Sequence, residues 1–179
     1  MRRLICLMLM CSLVLISKAQ IIDTDDVAVV DGKIIFTKEM KLPETLSQPA
    51  YPQIKEWGRK RYGTDFHSTI KFDQNNDEVR IHSRIELLLP ENQAKKREKI
   101  QMKYKANIFI VQDKYVLEVT EIVYFVNEGR KLKRYKAEDL FLEGSVVGGH
   151  FSAEFKNNIR KSTTYFLNEL CQSLTEYIK

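Results

Sequence analysis

The chain has 179 residues, 44% of them hydrophobic, and a formal net charge of +5. This is the length of one domain with a substantial core. Three of the basic residues, and no acidic one, lie in an N-terminal segment that we expect to be removed, so the remaining chain carries only +2. So small a net charge is no sign of a nucleic-acid partner, and the sequence predicts none.

The first twenty residues resemble a secretory signal peptide. Two arginines precede an apolar run at residues 4–16, and Ser17 and Ala19 fit the small-x-small pattern of a signal-peptidase site. A helix of this run spans about 20 Å, too short for a hydrocarbon core of about 30 Å. The sequence predicts a Sec-type signal peptide at 1–19 and an exported chain that begins at Gln20. Such a chain is periplasmic, or secreted and surface-associated, without a transmembrane segment.

The predicted cleavage determines which cysteines remain in the mature chain. Cys6 and Cys11 leave with the signal peptide, so Cys171 remains alone and no intrachain disulfide can form. The remaining chain, 20–179, is predicted to be one α+β domain whose size allows a core without disulfides.

The first predicted elements are a β-hairpin and a helix. Asp31 and Gly32 form a strong hairpin signal between two apolar runs. A helix is predicted to begin near Ser47, because the prolines that follow are tolerated only in a first turn. Trp57 lies on its narrow apolar stripe and Gly63 is its expected C-terminal cap.

The centre of the predicted sheet is a long hairpin from Lys99 to Phe125. In its first strand apolar side chains occupy every second position from Ile100 to Ile110, which is typical of a strand with one buried face. Its second strand is rich in β-branched and aromatic residues. A shorter hairpin, STIKF and EVRIHSRIELLL around DQNND, precedes it. The basic stretch RKLKRYK after it is expected to form a short edge strand.

The last predicted element is an amphipathic helix at 151–178, after a flexible joint at 144–149. The helix would be about 42 Å long, and the strand at 100–111 about 40 Å, so the helix can lie along the sheet and cover it. The sequence therefore predicts an α+β fold in two layers. A curved antiparallel sheet has two helices packed on one face.

The sequence predicts no catalytic residue, metal site or cofactor site. The histidines His67, His82 and His150 lack the spacing of metal ligands. The segment DQNND begins like a calcium loop, but Glu78 replaces the glycine that this loop requires. Phosphate-loop and Gly-x-Ser-x-Gly motifs are missing. We therefore expect a protein that is not an enzyme.

The feature that remains is the polar face of the central strands. Strand alternation predicts that Phe109 and Tyr124 share this face, and that Glu118 and Glu121 lie on opposite faces. The face is expected to display Arg80, His82, Arg84, Lys103, Lys105, Glu118 and Thr120 in adjacent rows. Cross-strand charge pairing would explain such a face without any partner.

Two functions are compatible with these observations. The first is a non-enzymatic envelope protein that uses the exposed sheet face to bind an unknown envelope protein or envelope component. The second is a carrier of a small ligand or lipid, with a cavity between the sheet and the C-terminal helix. The residues expected to line this cavity are Met102, Tyr104, Phe155 and Phe166.

Taken together, these segments resemble a family of secreted Bacteroidota proteins carrying a domain of unknown function with a TATA-binding-protein-like fold. The resemblance is carried by the signal ending SKAQ, KIIFTKEMKL, IKEWGRKRYG, the strands KIQMKYKANIFIVQDKYVLEVTEIVYF and the closing helix. It covers residues 27–178. It implies a curved sheet backed by helices and no catalytic residues, and GRKLKRYKAEDLF departs from it in being unusually basic.

Overall fold

The structure, a computed structural model, describes residues 27–46, 48–92, 95–142, 145 and 147–178. The predicted signal peptide lies outside these residues, and the predicted joint at 144–149 lies partly outside them. Within them, seven strands form one antiparallel sheet, accompanied by three helices. The elements are β1 (Val27–Val30), β2 (Lys33–Lys41), α1 (Ala50–Tyr62), β3 (Thr69–Asp73), β4 (Glu78–Leu88), β5 (Lys99–Val111), β6 (Lys114–Glu128), β7 (Lys131–Lys136), α2 (Ala137–Phe141) and α3 (Ala153–Tyr177).

The hairpin of β5 and β6 lies at the centre of the sheet, as predicted. The strand order is β1-β2-β6-β5-β4-β3, and β7 also pairs with β6. The first part of β6, residues 114–119, pairs with β2, and its last part, residues 123–128, pairs with β7. Two shorter strands therefore share one edge of β6, because this strand is 15 residues long.

The turn of the first hairpin lies at Asp31 and Gly32, as predicted. Asp31 and Gly32 both have positive φ angles, 49° and 70°, as a two-residue hairpin turn requires. The turn between β5 and β6 lies where the polar residues predict it, and Gln112 has a φ angle of 57° there.

A β-bulge in β6 changes which side chains face the helices. Lys103 pairs with Val123 and Lys105 pairs with Thr120, so three residue steps on β6 oppose two on β5. Glu121 lies in this bulge with a φ angle of 53°. Before the bulge the odd-numbered residues are directed to the core, and after it the even-numbered residues are. The predicted outer position of Tyr124 is therefore wrong, and this side chain is fully buried.

The three helices contact one side of the sheet, which we call the inner face. The α1 side chain Trp57 donates its indole N–H to Ser173 of α3 at 3.0 Å. The hydroxyl of Tyr124 lies 2.8 Å from that of Thr163 on α3. The rings of Tyr124 and Phe141 of α2 meet edge to face with centroids 5.8 Å apart. The predicted α+β fold with helices packed on one face is confirmed, with the five-residue α2 as an additional helix.

Local sequence explains where the helices begin. Ser152 accepts a hydrogen bond from the backbone N–H of Phe155 at 3.1 Å, which caps α3. Asp139 in the first turn of α2 accepts the backbone N–H of Lys136 at 2.9 Å. In the part of the chain that the structure describes, no helix has the length and hydropathy to cross a bilayer.

Candidate functional site

The side of the sheet opposite the helices, the outer face, carries a group of cations at one end. Strand pairing aligns its side chains in rows that cross β4, β5, β6 and β7. One row is Arg84, Lys103, Val123 and Lys136, and the next is Glu86, Gln101, Phe125 and Arg134. We call Arg84, Lys103, Arg134 and Lys136 the cationic quartet.

The quartet has no acidic partner among the described residues. The carboxylate that shares its rows, Glu86, forms an ion pair with Lys99 at 2.7 Å instead. Strands lie about 4.8 Å apart, so the four charges are held within a small area. They repel one another and create a positive potential over this end of the face.

The floor between the cations is apolar. The guanidinium of Arg84 lies over the ring of Phe125, with its carbon 4.1 Å from the ring centroid. Val123 is only 5% exposed, although it is directed to the outer face, and Phe125 is half-buried. Neighbouring long side chains must therefore shield this floor from water.

Two polar atoms on the outer face are buried without a hydrogen-bond partner. They are Nε of Arg84 and Oδ1 of Asn107. Buried polar atoms are nearly always paired, because losing water without replacement costs about 1–3 kcal/mol. Both atoms are out of contact with solvent, so a bound group reaches them only if the side chains that cover them move.

The other end of the outer face is largely neutralised by its own ion pairs. Arg80 pairs with Glu78 at 2.5 Å, and Lys105 lies 3.9 Å from Glu121. Lys114 also forms an ion pair with Glu39. Cross-strand charge pairing, the simpler explanation of the predicted face, therefore accounts for this end and leaves the quartet unexplained.

The residues predicted for the site are thus divided between the two ends. Arg84 and Lys103 belong to the quartet, whereas Arg80 and Lys105 are paired. His82, Lys105 and Thr120 form one central row, and Glu118 lies in the next row, opposite Asn107. The expected separation of Glu118 and Glu121 onto opposite faces is wrong, because the bulge returns Glu121 to the outer face.

Sequence reasoning missed Phe125, Arg134 and Lys136. Phe125 was hidden by the bulge, since strict alternation assigns it to the core. The basic composition of RKLKRYK indicated an edge strand, but its register on β6 places Arg134 beside Phe125 and Lys136 beside Val123. The basic composition of this stretch is visible in the sequence, but the register of β7 on β6 is not.

The four residues predicted to line a cavity are divided between the core and two surface clefts. Met102 and Tyr104 are fully buried, and the ring of Tyr104 packs on Phe166 with centroids 5.3 Å apart. Phe155 instead stacks on Phe151 at 5.0 Å. Phe155 lines a cleft of about 140 Å³ and Phe166 a separate cleft of about 560 Å³, and neither cleft includes Met102 or Tyr104.

A second polar cluster joins the β6–β7 hairpin to the segment before α3. Glu128 pairs with Lys133 at 2.6 Å and with His150 at 3.1 Å, and it accepts the hydroxyl of Tyr135. These bonds, led by that from Lys133, lower the pKa of Glu128 to about 2. The described residues contain no group of three or more His, Cys, Asp or Glu side chains arranged to hold a metal ion.

Comparisons with known proteins agree with this architecture. A family model described as a domain of unknown function (DUF4468) with TBP-like fold matches residues 36–125. A solved TBP-like protein from Parabacteroides distasonis has a TM-score of 0.70 and 24% sequence identity, over 83% of this chain and 94% of that chain. A DUF4468 family protein from Bacteroides ovatus has a TM-score of 0.67 and 18% identity, over 86% and 91%. None of the curated proteins matches the chain.

Proposed function

This chain is a member of the DUF4468 family, and we propose that it is an exported, non-enzymatic envelope protein that binds a macromolecular partner through its outer sheet face. The observation that carries the proposal is the unneutralised cationic quartet around Phe125 on a face opposite the helices. Export rests on the signal-peptide pattern of the first twenty residues.

The composition of the quartet supports a binding role. Arginine and aromatic side chains are enriched where proteins bind one another, and they often provide most of the binding energy. Arg84 and Phe125 are already in contact, so little side-chain freedom remains to be lost when a partner binds. Clustered like charges destabilise the free protein slightly, and an anionic partner would relieve that repulsion.

A charge-reversal experiment tests the binding role. Lys103→Glu with Arg134→Glu inverts half of the quartet, and both side chains are exposed, so the fold should persist. The matched control is Lys156→Glu with Lys161→Glu on α3, which changes the net charge equally in the helical layer. Affinity-tagged proteins would be expressed with their signal peptide, crosslinked in the envelope and purified, and the captured partner would be reconstituted.

We expect the wild type and the α3 variant to bind the same purified partner. The quartet variant should bind it at least about tenfold more weakly, a loss of about 1.4 kcal/mol. Equal binding by both variants, or a greater loss in the α3 variant, would show that the outer face is not the site.

Export has its own test. Cell fractionation should recover the protein in the periplasm, in the medium or at the surface, and mass spectrometry should show a mature chain that begins at Gln20. A full-length chain confined to the cytoplasm would contradict this part of the proposal.

A further inference from the structure

We infer that the cationic half of the outer face binds a short acidic segment of polypeptide that also carries an aromatic or aliphatic side chain, which rests on the proposed function above. The cationic half consists of the quartet, Phe125 and Val123. The dimensions, the charge pattern and the apolar side chains of this half indicate what kind of segment it binds.

The dimensions of the cationic half fit a short segment. Its rows cross four strands, a distance of about 14 Å at a spacing of about 4.8 Å. Its two rows lie about 7 Å apart along the strands. An extended peptide rises about 3.4 Å per residue, so about four residues cross the half. Such a segment can present two or three carboxylates to the quartet.

The charge pattern of the whole face favours a polypeptide over a uniform polyanion. Beyond the quartet, the described part of the face mixes cations with carboxylates, and Glu118 adds a carboxylate without an ion pair there. Glu121 and Glu39 also lie on this face. A nucleic acid, an acidic polysaccharide or an anionic lipid surface would set repeated negative charges against these carboxylates. A polypeptide can be acidic over the quartet and neutral or basic beyond it.

The apolar floor specifies the second component of the occupant. The half-buried ring of Phe125 lies between the cations, where an aromatic or aliphatic side chain would gain contact area and remove water from the charge pairs. The guanidinium of Arg84 lies over the Phe125 ring and has no ion pair among the described residues, so a carboxylate of the occupant supplies one. Charge alone would leave the exposed part of the Phe125 ring without a contact.

A peptide-display selection tests this inference and does not require an identified partner. The mature protein would be presented with a random library of peptides of about twelve residues, long enough to exceed the width of the site. We expect the enriched peptides to share a cluster of Asp or Glu with an adjacent aromatic or aliphatic residue. Fluorescence anisotropy with one labelled enriched peptide would then measure affinity for each variant.

The variants separate charge from apolar contact. Phe125→Thr removes the ring and introduces a β-branched residue, which is well tolerated in a strand. Both it and the Lys103→Glu, Arg134→Glu pair should weaken peptide binding at least about tenfold. The Lys156→Glu, Lys161→Glu control should bind like the wild type. Circular dichroism and the unfolding midpoint would verify that each variant is folded.

Several outcomes would overturn the inference. One is enrichment of basic or uncharged peptides. Another is an enriched peptide that the quartet variant binds as tightly as the wild type does. A third is an affinity for heparin, single-stranded DNA or phosphatidylglycerol vesicles equal to that for the enriched peptide. Unchanged binding by the folded Phe125→Thr variant would also overturn it. If any of these occurs while the crosslinked partner still depends on the quartet, the proposed function survives and only the acidic-peptide assignment fails.

Discussion

The hydroxyl pair of Tyr62 and Tyr104 links α1 to the central strand, and its removal should reveal a strong coupling. The two oxygens are 2.9 Å apart, and the side chains are 5% and 1% exposed. Burial raises the pKa of both phenols, so the pair remains neutral at ordinary pH. Tyr104 also bonds Ser83, and Tyr62 also bonds Arg61, so deleting one hydroxyl removes the shared bond while the other oxygen keeps its second partner. A buried hydrogen bond contributes about 1 kcal/mol to stability.

The double variant should therefore cost less than the sum of the single variants. We expect Tyr104→Phe and Tyr62→Phe each to lower the free energy of unfolding by about 1–2 kcal/mol. The double variant should cost about 0.5–1 kcal/mol less than the sum of the single variants, because the bond that the two hydroxyls share can be lost only once. Urea unfolding can be followed by fluorescence of Trp57, the one tryptophan of the chain, which is 3% exposed.

Tyr165→Phe is the matched control for the tyrosine cycle. This side chain is 67% exposed and donates to Glu169 on the same helix, so its loss should change stability by less than about 0.5 kcal/mol. Additive losses in the double variant, or single losses no larger than that of the control, would refute the assignment of a buried hydrogen bond between α1 and β5.

Three further predictions concern single sites. The ionised Glu128 should stabilise the fold above the ordinary glutamate pKa of 4.5, and this stability should be lost as the pH falls to about 2. Glu128→Gln should therefore lower the melting temperature at neutral pH but not near pH 2. A difference in melting temperature between wild type and variant that does not change with pH would contradict this. Ser152→Ala should cost about 1 kcal/mol by removing the cap on Phe155, measured by urea unfolding, whereas an unchanged midpoint would show that the cap does not stabilise α3. Gly148→Ala should cost about 1–3 kcal/mol, because a Cβ would lie 2.3 Å from the carbonyl oxygen of Asp139, and wild-type stability would mean that this backbone can move freely.

Hairpins and helices were predictable because their signals are local. The Asp31-Gly32 turn, the alternation in β5 and the apolar stripe of α3 each depend on neighbours in sequence. The predicted helix at 151–178 corresponds to α3 at Ala153–Tyr177, with the difference set by the cap at Ser152. The five-residue α2 carries too little periodicity to be recognised.

The order of strands was not predictable, because it depends on contacts between distant segments. β2 pairs with β6, although a helix and three strands separate them in sequence. Either edge of the central hairpin offers the same backbone groups to β2. Only the complete core decides between the two edges.

The bulge at Glu121 limited the prediction of the site. A single inserted residue exchanges the faces of every later side chain in the strand, so Tyr124 turns inward and Phe125 outward. Neither Glu121 nor the residue on either side of it is a glycine, which would have indicated a bulge. Positions before the bulge, such as Glu118 and Thr120, were placed on the correct face by alternation alone.

Site-specific photo-crosslinking in the envelope tests the central claim most directly. A photoreactive amino acid would replace Gln101, which is exposed on the outer face beside Phe125, or Asn168, which is exposed on α3. We predict a discrete crosslinked partner from position 101 and none from position 168. Adducts from position 168 alone, or from neither position, would contradict binding through the outer face.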